Sequence, residues 1–235
     1  MIGSTIRPRN PVSFDWFDGH PLVRTSAVQL PSWAVALLLL IRHAPTKETG
    51  RSLSGRLPGH SLSGPGQEMA EKLGERLASV RIGAIYSSPL ERTMETAAPI
   101  AARQRRKVIP HPGLLEVDYG SWSGRTMKSL RPLRNWQTVI RTPSRAGFPG
   151  GETILAAQQR AVVACEELAA RHRQSTIALV SHGDPIKAIV SHYLGQPLDL
   201  FNRIAVAPAS VTVLDLGTWP RLLALNTNGD PSTWQ

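Results

Sequence analysis

The chain has 235 residues, of which 41 % are apolar and 19 % charged. That composition supplies a buried core and excludes a chain disordered by composition. The single cysteine, Cys165, excludes an internal disulfide framework and a cysteine-built zinc cluster and fits a reducing compartment. Lys and Arg number 27 against 17 Asp and Glu, a net charge of +10, which points to an anionic partner: nucleic acid, an acidic membrane surface or a phosphorylated small molecule.

Taken in chain order, residues 1–34 hold Pro8, Pro11, Pro21 and Pro31 and sustain neither strand nor helix periodicity. They read as an extension of low order, with Phe14, Trp16 and Phe17 available to pack on the body. The longest apolar run, 34–41, is eight residues, far below the ~20 of a membrane span. It ends in Arg42 and His43 instead of a small-residue cleavage site, so a cytoplasmic protein is expected. Residues 35–42 read as a strand buried on both faces. A helix is expected over 64–79, where Met69, Leu73 and Leu77 recur at helical spacing. A strand at 83–87, a helix at 89–103 and a short strand at 107–109 follow. The basic run 103–107 contains no aromatic residue and reads as a solvated helix end, not a nucleic-acid stripe. After a loop-rich stretch, residues 152–172 place Ile154, Ala157, Ala161, Cys165 and Leu168 on one helical face, with Cys165 in the core. A buried strand at 176–181, a helix at 185–194 and two strands at 211–216 and 221–225 complete one domain over 35–226, the last two forming a hairpin. Residues 227–235 read as a loose polar tail. Strands alternating with helices predict an α/β three-layer sandwich with a mainly parallel central sheet.

In such sheets a ligand binds beyond the carboxyl ends of the strands. Three strands deliver polar residues there: Arg42 and His43, then the segment 87–92 with Arg92, then Ser181, His182, Gly183 and Asp184. Ser88, Pro89 and Glu91 have the spacing of a capping box, which sets Arg92 in the first helical turn. Asp184 and Pro185 fit the N-cap and first position of the next helix, leaving His182 where free backbone N–H groups favour an anion. Two arginines and two histidines around one anion suit phosphoryl transfer. Guanidinium forks match phosphate oxygens. One neutral imidazole can attack phosphorus, and the second, protonated, can share the developing charge. The adjacent arginines argue against a metal at His43 and His182. A carboxylic acid must supply the leaving-group proton, and Glu116 and Asp118 both stand in a glycine-bearing loop segment.

These residues resemble the histidine phosphatase superfamily, phosphoglycerate-mutase-like branch. The resemblance rests on Leu-Ile-Arg-His at 40–43, Ser-Ser-Pro-Leu-x-Arg at 87–92, Leu-x-Glu-x-x-x-Gly-x-Trp-x-Gly at 114–124, Gly-Gly-Glu at 150–152 and Val-Ser-His-Gly at 180–183. It implies His43 as the phospho-accepting nucleophile, Arg42 and Arg92 as phosphate clamps, His182 (with Gly183) in the phosphate pocket, and Glu116 in preference to Asp118 as proton donor. It implies neither metal nor organic cofactor. Thr46 and Arg56 are further candidate substrate contacts. Two positions depart from the family pattern: Ala44 stands where Gly is usual, a strained choice if the backbone there needs positive φ, and Thr49 lies near the place of a missing asparagine. The stretch 53–59 (Leu-Ser-Gly-Arg-Leu-Pro-Gly) resembles a bacterial subgroup of broadly described phosphatases.

The interval between Glu116 and His182, 182 − 116 = 66 positions, is short for a mutase of this fold. The reading is therefore a metal-independent phosphomonoester hydrolase acting through a phosphohistidine on a small phosphorylated metabolite. The alternatives are a phosphoglycerate-type phosphomutase, a non-catalytic binder of phosphorylated ligands, and a metal-dependent phosphohydrolase inhibited by chelators. No nucleic-acid or membrane partner is expected; a homodimer is compatible with the sequence. Between Tyr119 and Gly151 stand Arg125, Lys128, Arg131, Arg134, Arg141 and Arg145 and no acid, a set able to meet a second anionic group on the substrate. Trp122 and Trp136 read as packing residues.

Overall fold

A computed structural model describes residues 36–234. The expected N-terminal extension, with Phe14, Trp16 and Phe17, lies outside the described residues. Strands β1 (Leu37–Arg42), β2 (Ile82–Ser87), β3 (Val108–Pro110), β4 (Thr176–Ser181), β5 (Val211–Asp215) and β6 (Arg221–Thr227) form one sheet in the order β3-β2-β4-β1-β5-β6. Pairing is parallel from β3 through β1 and antiparallel from β1 through β6. Helices α1 (Gly64–Arg76), α2 (Glu91–Gln104), α3 (Met127–Leu130), α4 (Arg134–Arg141), α5 (Ile154–Arg171) and α6 (Gly183–Tyr193) complete the fold.

The alternation of the strands explains the three layers. In β1, Leu38 and Leu40 pack with Ala161, Cys165 and Leu168 of α5 and Ile186, Ile189 and Val190 of α6. Leu39 and Ile41 face the other way, against Leu73 of α1 and Ala97 and Ile100 of α2. A strand clad on both faces has no polar side, so its sequence is a continuous apolar run. Cys165 is fully buried, and burial pushes its thiol up to about 12. The interval after β3 is less loop-like than its sequence: α3 and α4 fold over a separate small core of Tyr119, Trp122, Leu130, Val139, Phe148 and Phe201.

Two helix starts and the tail differ from expectation. Helix α2 begins at Glu91 with Leu90 at its N-cap, and no side chain caps it. Ser88 is buried, and its hydroxyl is taken by His182 Nε2 at 2.9 Å, while Glu91 accepts from the Gly59 N–H. The reciprocal box cannot close when both side chains have other partners. Helix α6 begins two residues early, with His182 at the N-cap, because the Asp184 carboxylate is engaged by Tyr119 and Lys187 and does not turn back on the backbone. Past residue 226, Trp234 is buried with the α1–α2 core instead of trailing free.

Candidate active site

A cavity of about 470 Å³ opens at the carboxyl ends of β1, β2 and β4. Its lining includes Arg42, His43, Thr46, Arg92, Glu116 and Gly183, residues that the sequence scatters over 140 positions. Parallel pairing brings them there: Arg42 lies opposite Ser181 in the β1–β4 register, and the His43 N–H donates to the Ser181 carbonyl at 3.0 Å.

His43 is nearly buried, and its Nδ1–H donates to the Ala44 carbonyl at 2.7 Å. That bond fixes the tautomer and leaves the Nε2 lone pair free. Burial, then the positive charge of Arg92 and Arg42, brings the ring down to about 3 against the pull of the Ala44 carbonyl, so the imidazole stays neutral at any physiological pH. Ala44 does not adopt positive φ; its N–H donates to Thr96 Oγ1 at 3.0 Å. The absence of glycine there costs no backbone strain.

Arg92 is 2 % exposed. Its Nη2 donates to the Gly55 carbonyl at 2.8 Å and to His182 Nδ1 at 3.2 Å, while its Nη1 is buried with no partner among the described residues. Arg42 donates from Nη1 to the Val206 carbonyl at 2.5 Å, and its Nε is likewise buried and unpartnered. Two buried guanidinium N–H groups with no acceptor are expensive unless an anion meets them. Gly183 adjoins this pair: a Cβ there would stand 3.5 Å from the Arg42 guanidinium.

The second histidine differs from the protonated partner expected of it. His182 is fully buried behind the cavity wall, 5.2 Å from the His43 ring between centroids. Because Arg92 can only donate, His182 Nδ1 accepts and its Nε2–H donates to Ser88 Oγ. Burial, Arg92 and His43 together hold it well below the usual histidine range. The ring is neutral, and it orients Arg92.

Glu116 brings a carboxyl to the cavity. Its Oε1 accepts from the Val117 N–H at 2.9 Å, and its Oε2 lies 3.9 Å from His182 Nδ1. Burial and the negative charge of Asp184 raise it to about 7, against the opposing pull of Arg92. Burial alone would raise Asp184 too, but Lys187 and the Tyr119 hydroxyl lower it, so of the two carboxyls Glu116 is the one that favours the protonated form. Asp184, Tyr119 and Lys187 all line the cavity; the sequence brings Asp184 to this edge only as a helix cap, and its neighbour Tyr119 lies 65 positions away.

The lesser candidates separate. Thr46 lines the cavity, and Thr49, near the place of the absent asparagine, lines it too and accepts the Thr46 N–H at 2.9 Å. Arg56 does not line it. Its Nε donates to the Glu116 carbonyl at 2.9 Å and its Nη2 to Glu152 Oε1 at 2.8 Å, so its fork is turned to these two partners and away from the cavity. Of the six cations between Tyr119 and Gly151, Arg131 alone lines the cavity. Trp136 packs on Trp122 with 6.1 Å between ring centroids and also lines the mouth. Asp118 pairs with Arg56 at 3.7 Å, outside the cavity lining. Among the described residues, no three His, Cys, Asp or Glu side chains are grouped to hold a metal ion, and no helix is long and apolar enough to cross a membrane.

A basic, histidine-bearing cavity at the carboxyl edge of parallel strands defines a class of α/β proteins suited to hold an anionic group such as a phosphoryl. Within that class the chain belongs to the histidine phosphatase superfamily, branch 1, whose family pattern matches residues 38–227. It is 31 % identical over 184 residues to phosphoserine phosphatase 1 of Hydrogenobacter thermophilus, covering 76 % of this chain and 86 % of that protein. It is 31 % identical over 201 residues to the probable phosphoglycerate mutase GpmB of Proteus mirabilis, covering 82 % and 92 %. The structure of Bacillus stearothermophilus YhfR superposes with a TM-score of 0.75 at 27 % identity, covering 85 % of this chain and all of that one.

Proposed function

We propose that the protein hydrolyses small phosphomonoesters without a metal, through a phosphohistidine on His43 Nε2. The observation that carries this is the His43 tautomer: with Nδ1–H held by the Ala44 carbonyl, the Nε2 lone pair belongs to a neutral ring in a cavity that also holds Arg42, Arg92 and Glu116. In the first step that lone pair attacks phosphorus, the P–O bond to the alcohol breaks, and the Glu116 carboxyl passes its proton to the departing oxygen. Arg42 Nε and Arg92 Nη1, both buried without a partner among the described residues, meet the phosphoryl oxygens, and His182 keeps Arg92 in line. In the second step the Glu116 carboxylate takes a proton from water, the water oxygen attacks phosphorus, and the P–N bond breaks to return His43 and free phosphate. Thr46 and Gly183 complete the phosphate wall, and a second anionic group on the substrate meets Arg131 at the mouth.

The test is turnover of a generic phosphomonoester together with acid-labile, alkali-stable labelling of the protein. Wild type turns over equally with and without EDTA and traps the label; H43A loses at least about 10⁴-fold and traps none. Turnover that survives in H43A, or that EDTA abolishes, overturns the proposal. The similarity to a probable phosphoglycerate mutase supports a second reading, in which a substrate hydroxyl replaces water; 3-phosphoglycerate then yields an isomer instead of free phosphate.

A further inference from the structure

Glu116 stands in a segment with no regular secondary structure, 115–119, and a carboxyl that must deliver a proton to one oxygen cannot wander by an ångström without large loss of rate. Three charged side chains hold this segment. Arg160 of α5 donates from Nη1 to the Gly113 carbonyl at 2.9 Å and to the Leu115 carbonyl at 3.0 Å. Arg56 donates from Nε to the Glu116 carbonyl at 2.9 Å. The Glu152 carboxylate joins the two: its Oε1 accepts from Arg56 Nη2 at 2.8 Å, from Arg160 Nη2 at 2.7 Å and from the Asp118 N–H at 2.9 Å. None of the three lines the cavity.

The backbone reinforces them. The Glu152 N–H donates to the Asp118 carbonyl at 3.0 Å, and the Ser121 N–H to the Pro149 carbonyl at 2.9 Å. The two chains run so close that a Cβ on Gly151 would fall 2.2 Å from the Asp118 carbonyl oxygen, and one on Gly120 2.2 Å from that of Pro149. Consecutive residues then tie acid to clamp: the Gly55 carbonyl accepts from Arg92, while Arg56 grips the Glu116 carbonyl.

We infer that Glu152, Arg56 and Arg160 are positioning residues that fix the Glu116 carboxyl at the leaving-group oxygen, with the 55–56 segment setting its distance from the Arg92 clamp. This rests on Glu116 being the proton donor. An ordinary stabilising network would, when cut, lower all turnover alike. A positioning network, when cut, acts only where a proton must be delivered: an aliphatic alcohol needs protonation as it departs, whereas 4-nitrophenolate leaves without it. Because kcat/KM reports the first chemical step up to loss of the alcohol, the comparison is unaffected by the later hydrolysis of the phosphohistidine.

The experiment measures kcat/KM for 2-phenylethyl phosphate and 4-nitrophenyl phosphate in wild type, E152Q, R56K and E116Q, with melting curves to register folding. R56K keeps the charge facing Glu152 but cannot also hold the Glu116 carbonyl through a fork. Both E152Q and R56K are expected to lose about 10- to 100-fold on the alkyl ester and under about threefold on the nitrophenyl ester, the pattern of E116Q in milder form. Equal losses on the two esters, or an unchanged alkyl ester, overturn the inference; R56K decides alone should E152Q not fold. Failure of the donor assignment has a different signature, an E116Q variant that discriminates between the esters no more than wild type, and it removes this inference as well.

Discussion

The floor and the mouth of the cavity are built on different principles. Floor residues sit where regular elements end or begin: His43 just past β1, Arg92 in the first turn of α2, and His182 between β4 and α6. They are almost fully buried and fixed by bonds to backbone carbonyls or to one another. Mouth residues stand on short helices and connections: Arg131 just after α3, Trp136 and Ile140 on α4, Asn202 beyond α6. They are half-exposed or exposed, and Ile140 is 44 % exposed. Reactive groups need a rigid scaffold, and groups that meet varied substrates do not; on the proposed function, chemistry belongs to the sheet edge and selectivity to the later interval.

Substitutions at the two levels should therefore fail differently. The largest effect belongs to the floor. Replacing Arg92 by Met removes a buried donor at the phosphoryl group and the partner of His182, and kcat/KM is expected to fall about 10³-fold for every ester tested. A loss that varies widely from ester to ester would move Arg92 from the floor to the mouth. At the mouth, R131A is expected to lower kcat/KM about 10-fold for a bisphosphate and to leave a neutral aryl phosphate nearly unchanged, as for a single partly solvated charge contact. R134A, on α4 but outside the cavity lining, is the control; equal behaviour of the two variants would remove the second-anion contact.

The smallest effect is on stability, and its sign is specific to the acid. Glu116 is raised to about 7 in the folded protein, so between about 4.3 and 7 the folded state binds more protons than the unfolded one. Stability contributed by this group therefore falls as pH rises through that window. E116Q escapes the penalty and is expected to be more stable than wild type at pH 8 by about 1–3 kcal/mol, with the advantage gone near pH 4. In wild type, loss of the same proton lowers kcat/KM for alkyl phosphates above about pH 7, and E116Q lacks that limb. Melting curves at the two pH values check the first part, and pH–rate profiles the second; a less stable E116Q at pH 8 would mean that the Glu116 carboxyl is not raised in the folded protein.

How far the site was legible follows from the kind of interaction involved. The placement of Arg42, His43 and Arg92 at one edge could be read from alternating strands and helices, because a parallel sheet sends all its carboxyl ends to the same side. The Glu116 loop and the Gly-Gly-Glu stretch were visible as motifs, but why they accompany each other was not: the reason is the near contact of two backbones through Gly120 and Gly151. The capping box at Ser88 was misread because a hydroxyl that suits the next helix is instead claimed by His182, 94 positions on. Arg56 was read as a substrate contact because an arginine in a polar loop looks free until its carbonyl and carboxylate partners are seen. The charge of His182 depended on a neighbour, Arg92, that can only donate.

The amino-acid order by itself determined the strand and helix pattern, the two-faced burial of the sheet, and the kinds of side chain that converge on an anion. All of these depend on local periodicity and on the geometry that strands and helices impose on any chain. Tertiary packing alone decided which nitrogen of His43 is free, that burial and Asp184 raise the Glu116 carboxyl, and that Arg56 bonds the Glu116 carbonyl and Glu152 instead of lining the cavity. Those outcomes turn on hydrogen bonds and charges between residues far apart in the chain, whose distances exist only once the layers have closed.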